Sequence, residues 1–118
     1  MNDDYTRAPL AVEDDTTDYL GIRCPANSVE LYAFVAIPTG YKATDVQVYA
    51  SASTSSAVTA YSFNHTSGAI VSKGSGDFNS AIDITDVTSG STTSVAIKLA
   101  PASNLTVIYG ADITLAAV

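Results

Sequence analysis

Only one side chain in this sequence, His65, has an unperturbed pKa near neutrality and could act as a general base. A hydrolytic site would need that base beside a nucleophile, with an acid to orient it. Hydroxyls cannot mark the nucleophile, because the chain holds 14 Ser and 14 Thr. His65 ends an alternating stretch and enters the polar run Thr66-Ser67-Gly68, so it is expected as an exposed or turn-bonded imidazole. Cys24 is the single thiol and precedes Pro25. No His stands near it in sequence, and it reads as a small buried hydrophobe. No catalytic residue is expected, and the chain is expected not to be an enzyme.

Metal and cofactor chemistry is equally unsupported. One His and one Cys cannot build a structural zinc site. Asp14-Asp15 with Asp18, or Asp83 with Asp86, are conceivable oxygen clusters for calcium, yet neither lies in a Gly-containing EF-hand loop. Asp83 and Asp86 flank apolar positions of an alternating segment, which makes them solvent-facing charges. Glu30 with any Asp could be offered as a glycosidic pair, but no spacing rule selects one. Trp is absent, so a sugar platform would fall to Tyr32, Tyr41, Tyr49 or Tyr61. Tyrosine is also enriched in protein interfaces, and that reading is preferred. The triplets Asn64-His65-Thr66 and Asn104-Leu105-Thr106 fit the glycosylation pattern but carry little weight without a secretory leader. No cofactor and no metal are expected.

Charge narrows the partners. The 118-residue chain has 12 acidic residues against five Lys and Arg, a net charge of −7. Arg7, Arg23, Lys42, Lys73 and Lys98 are scattered, so phosphate neutralisation argues against nucleic acid and against an anionic membrane. No stretch approaches the ~18 apolar residues of a membrane helix. Met1-Asn2-Asp3-Asp4-Tyr5 has neither the basic nor the apolar region of a secretory leader, and a lone Cys fits a reducing compartment. Synthesis and assembly in a cytoplasm are therefore expected.

The elements that would position any site are strands. Val29 to Ile37 places Val29, Leu31, Ala33, Val35 and Ile37 on one face and Glu30, Tyr32 and Phe34 on the other. Both faces are largely apolar, which predicts a strand covered on both sides, by the core and by a partner or the N-terminal arm. Period-two alternation also marks Tyr19–Arg23, Thr44–Ala52, Val58–His65, Ser80–Val87, Thr92–Leu99 and Leu105–Ala117, the last interrupted at Gly110 by a bulge or bend. Pro38-Thr39-Gly40 is a turn. The Gly-rich segment Thr66–Phe78 reads as the longest loop, with room for a short strand at Ala69–Ser72. Seven to eight antiparallel strands and no helix predict an all-β sandwich occupying residues 19–118, a jelly roll first and an immunoglobulin-like sandwich second.

Residues 1–18 differ in character. Asp3, Asp4, Glu13, Asp14, Asp15 and Asp18 make the segment acidic, while Tyr5, Leu10, Val12 and Tyr19 are spaced apolar points. They predict an arm pinned to a neighbouring subunit or to its own sandwich. The expected interface is Tyr5, Leu10, Val12 and Tyr19, together with the Tyr32 and Phe34 face.

The run from Leu31 through Pro38-Thr39-Gly40 into Asp45-Val46-Gln47-Val48-Tyr49-Ala50, and the end Val107-Ile108-Tyr109-Gly110-Ala111-Asp112-Ile113-Thr114-Leu115, resemble small virion proteins of tailed bacteriophages, especially those infecting cyanobacteria. The resemblance spans roughly residues 19 to 118 in pattern and rests on turn-and-strand phrasing. It implies a capsid decoration or cement protein of the virion, often a jelly roll and often a trimer, with the major capsid protein as partner. The alternative it leaves is a fibre or tail-tip module recognising a host glycan through the loops Ser51–Ser56 and Thr66–Phe78, with Tyr49 or Tyr61 as contacts.

Overall fold

The computed structural model describes residues 10–13, 20–23, 30–100 and 106–118. Nine strands run through them: β1 (Leu10–Glu13), β2 (Leu20–Arg23), β3 (Leu31–Ala36), β4 (Tyr41–Ala50), β5 (Val58–Asn64), β6 (Ile70–Gly76), β7 (Ile82–Thr88), β8 (Thr93–Leu99) and β9 (Val107–Ala117). No helix occurs among the described residues. One sheet has the order β1-β2-β9-β4-β7 and the other β3-β8-β5-β6, with every pairing antiparallel. From β2 onward the pairs nest: β2 with β9, β3 with β8, β4 with β7, β5 with β6. A long hairpin wound onto itself gives this order, and the sandwich is a jelly roll.

Alternation explains most of the strands. In β4, Val46, Val48 and Ala50 are buried, and in β7 Ile82 and Ile84 are buried while Asp83 and Thr85 are exposed. Val95, Ile97 and Leu99 of β8 and Val58 and Ala60 of β5 complete the inner faces. The turn before β4 forms as its Pro-Thr-Gly wording predicts, with Tyr41 N–H donating to Pro38 O at 3.1 Å. In β9 the register against β4 slips between Tyr49 and Ala50, opposite Gly110 and Ile108, so the interruption in the sequence is a bulge at Tyr109.

Among the described residues, 19–118 holds eight strands, β2–β9, as expected, and Leu10–Glu13 adds a ninth on the outside of β2, Leu10 opposite Arg23 and Val12 opposite Gly21. Two expectations are corrected. The Gly-rich loop is largely strand: β6 covers Ile70–Gly76, with an extra residue where its register shifts opposite Ala60 and Tyr61. Its glycines serve close approach, since a Cβ on Gly76 would lie 2.7 Å from Ile82 Cγ1 of the opposing sheet. Finally, β3 is an edge strand, and Val35 on its core-facing phase is 37% exposed, where full cover by the core was expected. At a sheet edge the opposite sheet reaches only part of the strand.

The β6–β7 connection is fixed by Asn79, which sits at φ 63°. Its Oδ1 accepts from Ala50 N–H at 2.9 Å, its Nδ2 donates to Ala50 O at 3.0 Å, and its own N–H donates to Val48 O at 2.7 Å. The amide thus prolongs β4 by imitating a neighbouring strand. Beside it, Phe78 is wholly buried.

Two glycine substitutions should separate close approach from a strand bulge. Gly76→Ala drives a methyl into Ile82 and should cost about 1–3 kcal/mol. At Gly110 a Cβ would meet nothing within 4 Å, and Gly110→Ala should be neutral or stabilise by up to ~1 kcal/mol. Urea denaturation of both variants checks the difference.

Candidate functional site

Aromatic placement singles out one surface. Among the described aromatic side chains, only Phe78 is buried; the core is otherwise Val, Ile, Ala and Leu. The remaining rings lie outside, and the outer face of the four-stranded sheet holds four of them. Its rows follow from register. Tyr32 of β3 lies opposite Lys98 of β8, and Lys98 opposite Thr59 of β5. In the next row Phe34, Ala96 and Tyr61 line up, then Ala36, Ser94 and Phe63, with Ile70 of β6 beyond.

Ser94 and Ala96 of β8 are small residues set between these larger side chains. Ala96 points outward in phase yet is only 2% exposed. Over β8, the rings of Phe34 and Phe63 stand 5.1 Å apart, tilted at 53°, a separation within the range of favourable aromatic pairs. Tyr32 and Ile70 are each 52% exposed, so the patch stays open to solvent. At its margin the Tyr32 hydroxyl donates to Glu30 Oε2 at 3.3 Å. Partial desolvation, followed by the charge of the Glu30 carboxylate, holds this phenol above its usual pKa.

The outer face of the other sheet is chemically opposite. Asp45 lies directly across from Asp83, and Asp112 and Asp86 share that side. Lys42 offsets one of them, with its Nζ 2.6 Å from Asp86 Oδ2, an exposed pair worth about 0–1 kcal/mol. The Tyr49 hydroxyl donates to Asp112 Oδ2 at 2.8 Å, and that bond raises its pKa above the ordinary value. One face is therefore aromatic and the other acidic.

Sequence-predicted residues fall unevenly on this map. Tyr32 and Phe34 stand in the aromatic patch. Leu10 and Val12 belong to β1 on the edge of the acidic sheet, so removing residues 1–18 would also strip the strand that covers β2. Tyr5, Tyr19 and Cys24 lie outside the described residues. Tyr49 and Tyr61 point from opposite faces of the sandwich and are not brought together. His65 is exposed in the turn after β5, its backbone N–H donating to Thr92 O at 3.0 Å. Asn64 closes that turn, its Oδ1 accepting from Thr66 N–H at 3.0 Å and from the Thr66 hydroxyl at 2.7 Å. No group of three His, Cys, Asp or Glu placed to hold a metal occurs among the described residues, and no described helix is long and apolar enough to cross a membrane.

Phe63 and Ile70 were not foreseen as part of the surface. Their place depends on the register of β3, β8, β5 and β6, and the only hint in the sequence was an apolar residue in the outward phase of β5.

Beside the patch, an apolar cleft of about 180 Å³ opens between the two sheets, lined by Ile22, Leu31, Tyr32, Ala33, Leu99 and Ile108. It carries no titratable group except the phenol of Tyr32. Comparison with known proteins gives no match to any family model, curated protein or solved structure.

The tyrosine bond sets a pH dependence. A phenol whose pKa is raised on folding contributes stability that is complete below about pH 10, its unfolded value, and is lost as pH rises through the folded value. The native chain should therefore lose stability more steeply above pH ~10 than Tyr49→Phe, measured by chemical denaturation at a series of alkaline pH values.

Proposed function

We propose that this chain is a non-enzymatic structural protein of a bacteriophage virion, a decoration or cement protein. It lies on the outer surface of the head, binds the major capsid protein and ties neighbouring capsomers together in many copies. Assembly takes place in the host cytoplasm. The observation that supports this reading is the division of the sandwich into an aromatic face and an acidic face. An aromatic surface open to water on a −7 chain is suited to burial against another protein. The acidic side then faces solvent and keeps free copies apart.

The energetics suit a repeated contact. The four rings leave on the order of 300 Å² exposed, at ~150–250 Å² per aromatic side chain. At ~25 cal/mol per Å² their burial is worth roughly 8 kcal/mol. Association costs are of similar size, about 4–15 kcal/mol. One contact is weak, and a lattice of linked contacts is strong.

Ile70→Asp and Phe63→Asp place a charge within the patch. Each should weaken co-sedimentation with purified heads at least tenfold, about 1.4 kcal/mol or more. Thr85→Lys, on the acidic face, should bind as the native chain does. Undiminished binding of both patch variants would overturn the docking face. Retention on a glycan array, lost in Tyr61→Ala, would replace this reading with a fibre or tail-tip module.

A further inference from the structure

We propose that two copies of this chain join through their β3 edges, antiparallel across a two-fold axis at Ala33, making the two four-stranded sheets one. The argument starts from hydrogen-bond phase. Ala100 N–H donates to Ala57 O and His65 N–H to Thr92 O, both in the β5–β8 register. In an antiparallel ladder, the residues of a strand bond alternately to its two neighbours. Even-numbered residues of β8 therefore face β5, and odd-numbered ones face β3. Through the register Leu31 opposite Leu99, it is Leu31, Ala33 and Val35 that bond β8. The N–H and C=O groups of Tyr32, Phe34 and Ala36 point away from the sheet, and no other described strand takes them.

A second β3 satisfies this phase. Centred on Ala33, it sets Tyr32 opposite Phe34 of the second copy, a hydrogen-bonded pair of edge-facing residues. Leu31 meets Val35 on the inner side, at the mouth of the cleft, and Glu30 meets Ala36. Each residue meets one of its own phase, so the aromatic faces become continuous. Cross-strand aromatic pairs of this kind are favourable.

Charge selects the occupant. At −7 per copy, self-association needs a contact where acids do not meet. The other edge strands are guarded: Glu13 lies in β1, Lys73 in β6, and Asp83 and Asp86 in β7. Leu31–Ala36 contains no charged residue and no proline, the two devices that usually block edge pairing. Across the axis the two Glu30 residues stand about 20 Å apart, at ~3.4 Å per residue, beyond the ~8–10 Å Debye length. The contact is isologous, so it yields pairs. A trimer would need a second surface.

The test uses the full chain alone, so it is independent of shell binding. Sedimentation equilibrium should show the 12.2 kDa chain approaching twice that mass with a Kd between ~1 μM and ~1 mM. Ala33→Lys and Ala33→Glu should each remain at one-chain mass, and an equimolar mixture of the two should pair again. On the native chain, amide exchange at Tyr32 and Phe34 should slow as concentration rises. A native chain that keeps one-chain mass to ~1 mM, or exchange at those amides that ignores concentration, would overturn the pairing. So would folded Lys and Glu variants that still pair alone or fail to pair when mixed, or capture of an extended peptide by a chain that stays at one-chain mass.

Discussion

The insertion of β9 between β2 and β4 is the constraint on which the rest of this structure depends. Val107–Ala117 joins the short N-terminal strands to the long β4, and it supplies Ile108 and Ile113 to the core. Without it the five-stranded sheet would fall into a β1–β2 ribbon and a β4–β7 pair, neither with enough apolar cover to stand alone. The pairing closes most of the chain into a loop, and the β3–β8 pairing nested inside it closes another. Such non-local contacts cost entropy before they return anything. The reward is shared by both sheets, because the same nesting that seats β9 also sets the rows of the aromatic face.

The choice of side chains follows from that architecture. A thin core built from Val, Ile and Ala lets the sheets approach closely, and Gly76 brings β6 onto Ile82. Large rings would force the layers apart. All the described rings but Phe78 stand outside instead, four of them on the sheet that carries Lys98 and Lys73, while Asp45, Asp83, Asp86 and Asp112 gather on the other. Each face thus has its own chemistry, and the division is a property of the fold as much as of composition.

How much of this could be read in advance varied with the physics of each segment. β4, β7 and β8 were legible because one face is dry and the other wet, which writes a period of two into the sequence. The break at Tyr109-Gly110 was legible from the glycine that interrupts the alternation. β6 was not, since a strand whose glycines exist to admit a neighbour looks like a loop. β3 was legible as a strand but not as an edge: apolar residues on both phases mark a strand that wants cover, without saying which molecule provides it. Of the candidate surface, Tyr32 and Phe34 lie on one strand and could be named together. Tyr61, Phe63 and Ile70 come from two other strands, and only register unites them.

The two long sides of the sandwich are unequally sealed. At one, β6 and β7 press together through glycine and isoleucine; at the other, β2 and β3 leave the gap lined by Ile22, Leu31, Leu99 and Ile108. Apolar contacts are fewest along that flank, and local opening of a fold is favoured where few such contacts hold it. In the proposed pair the second β3 lies along that flank as a clasp, and resistance to heat would then become a function of how much protein is present.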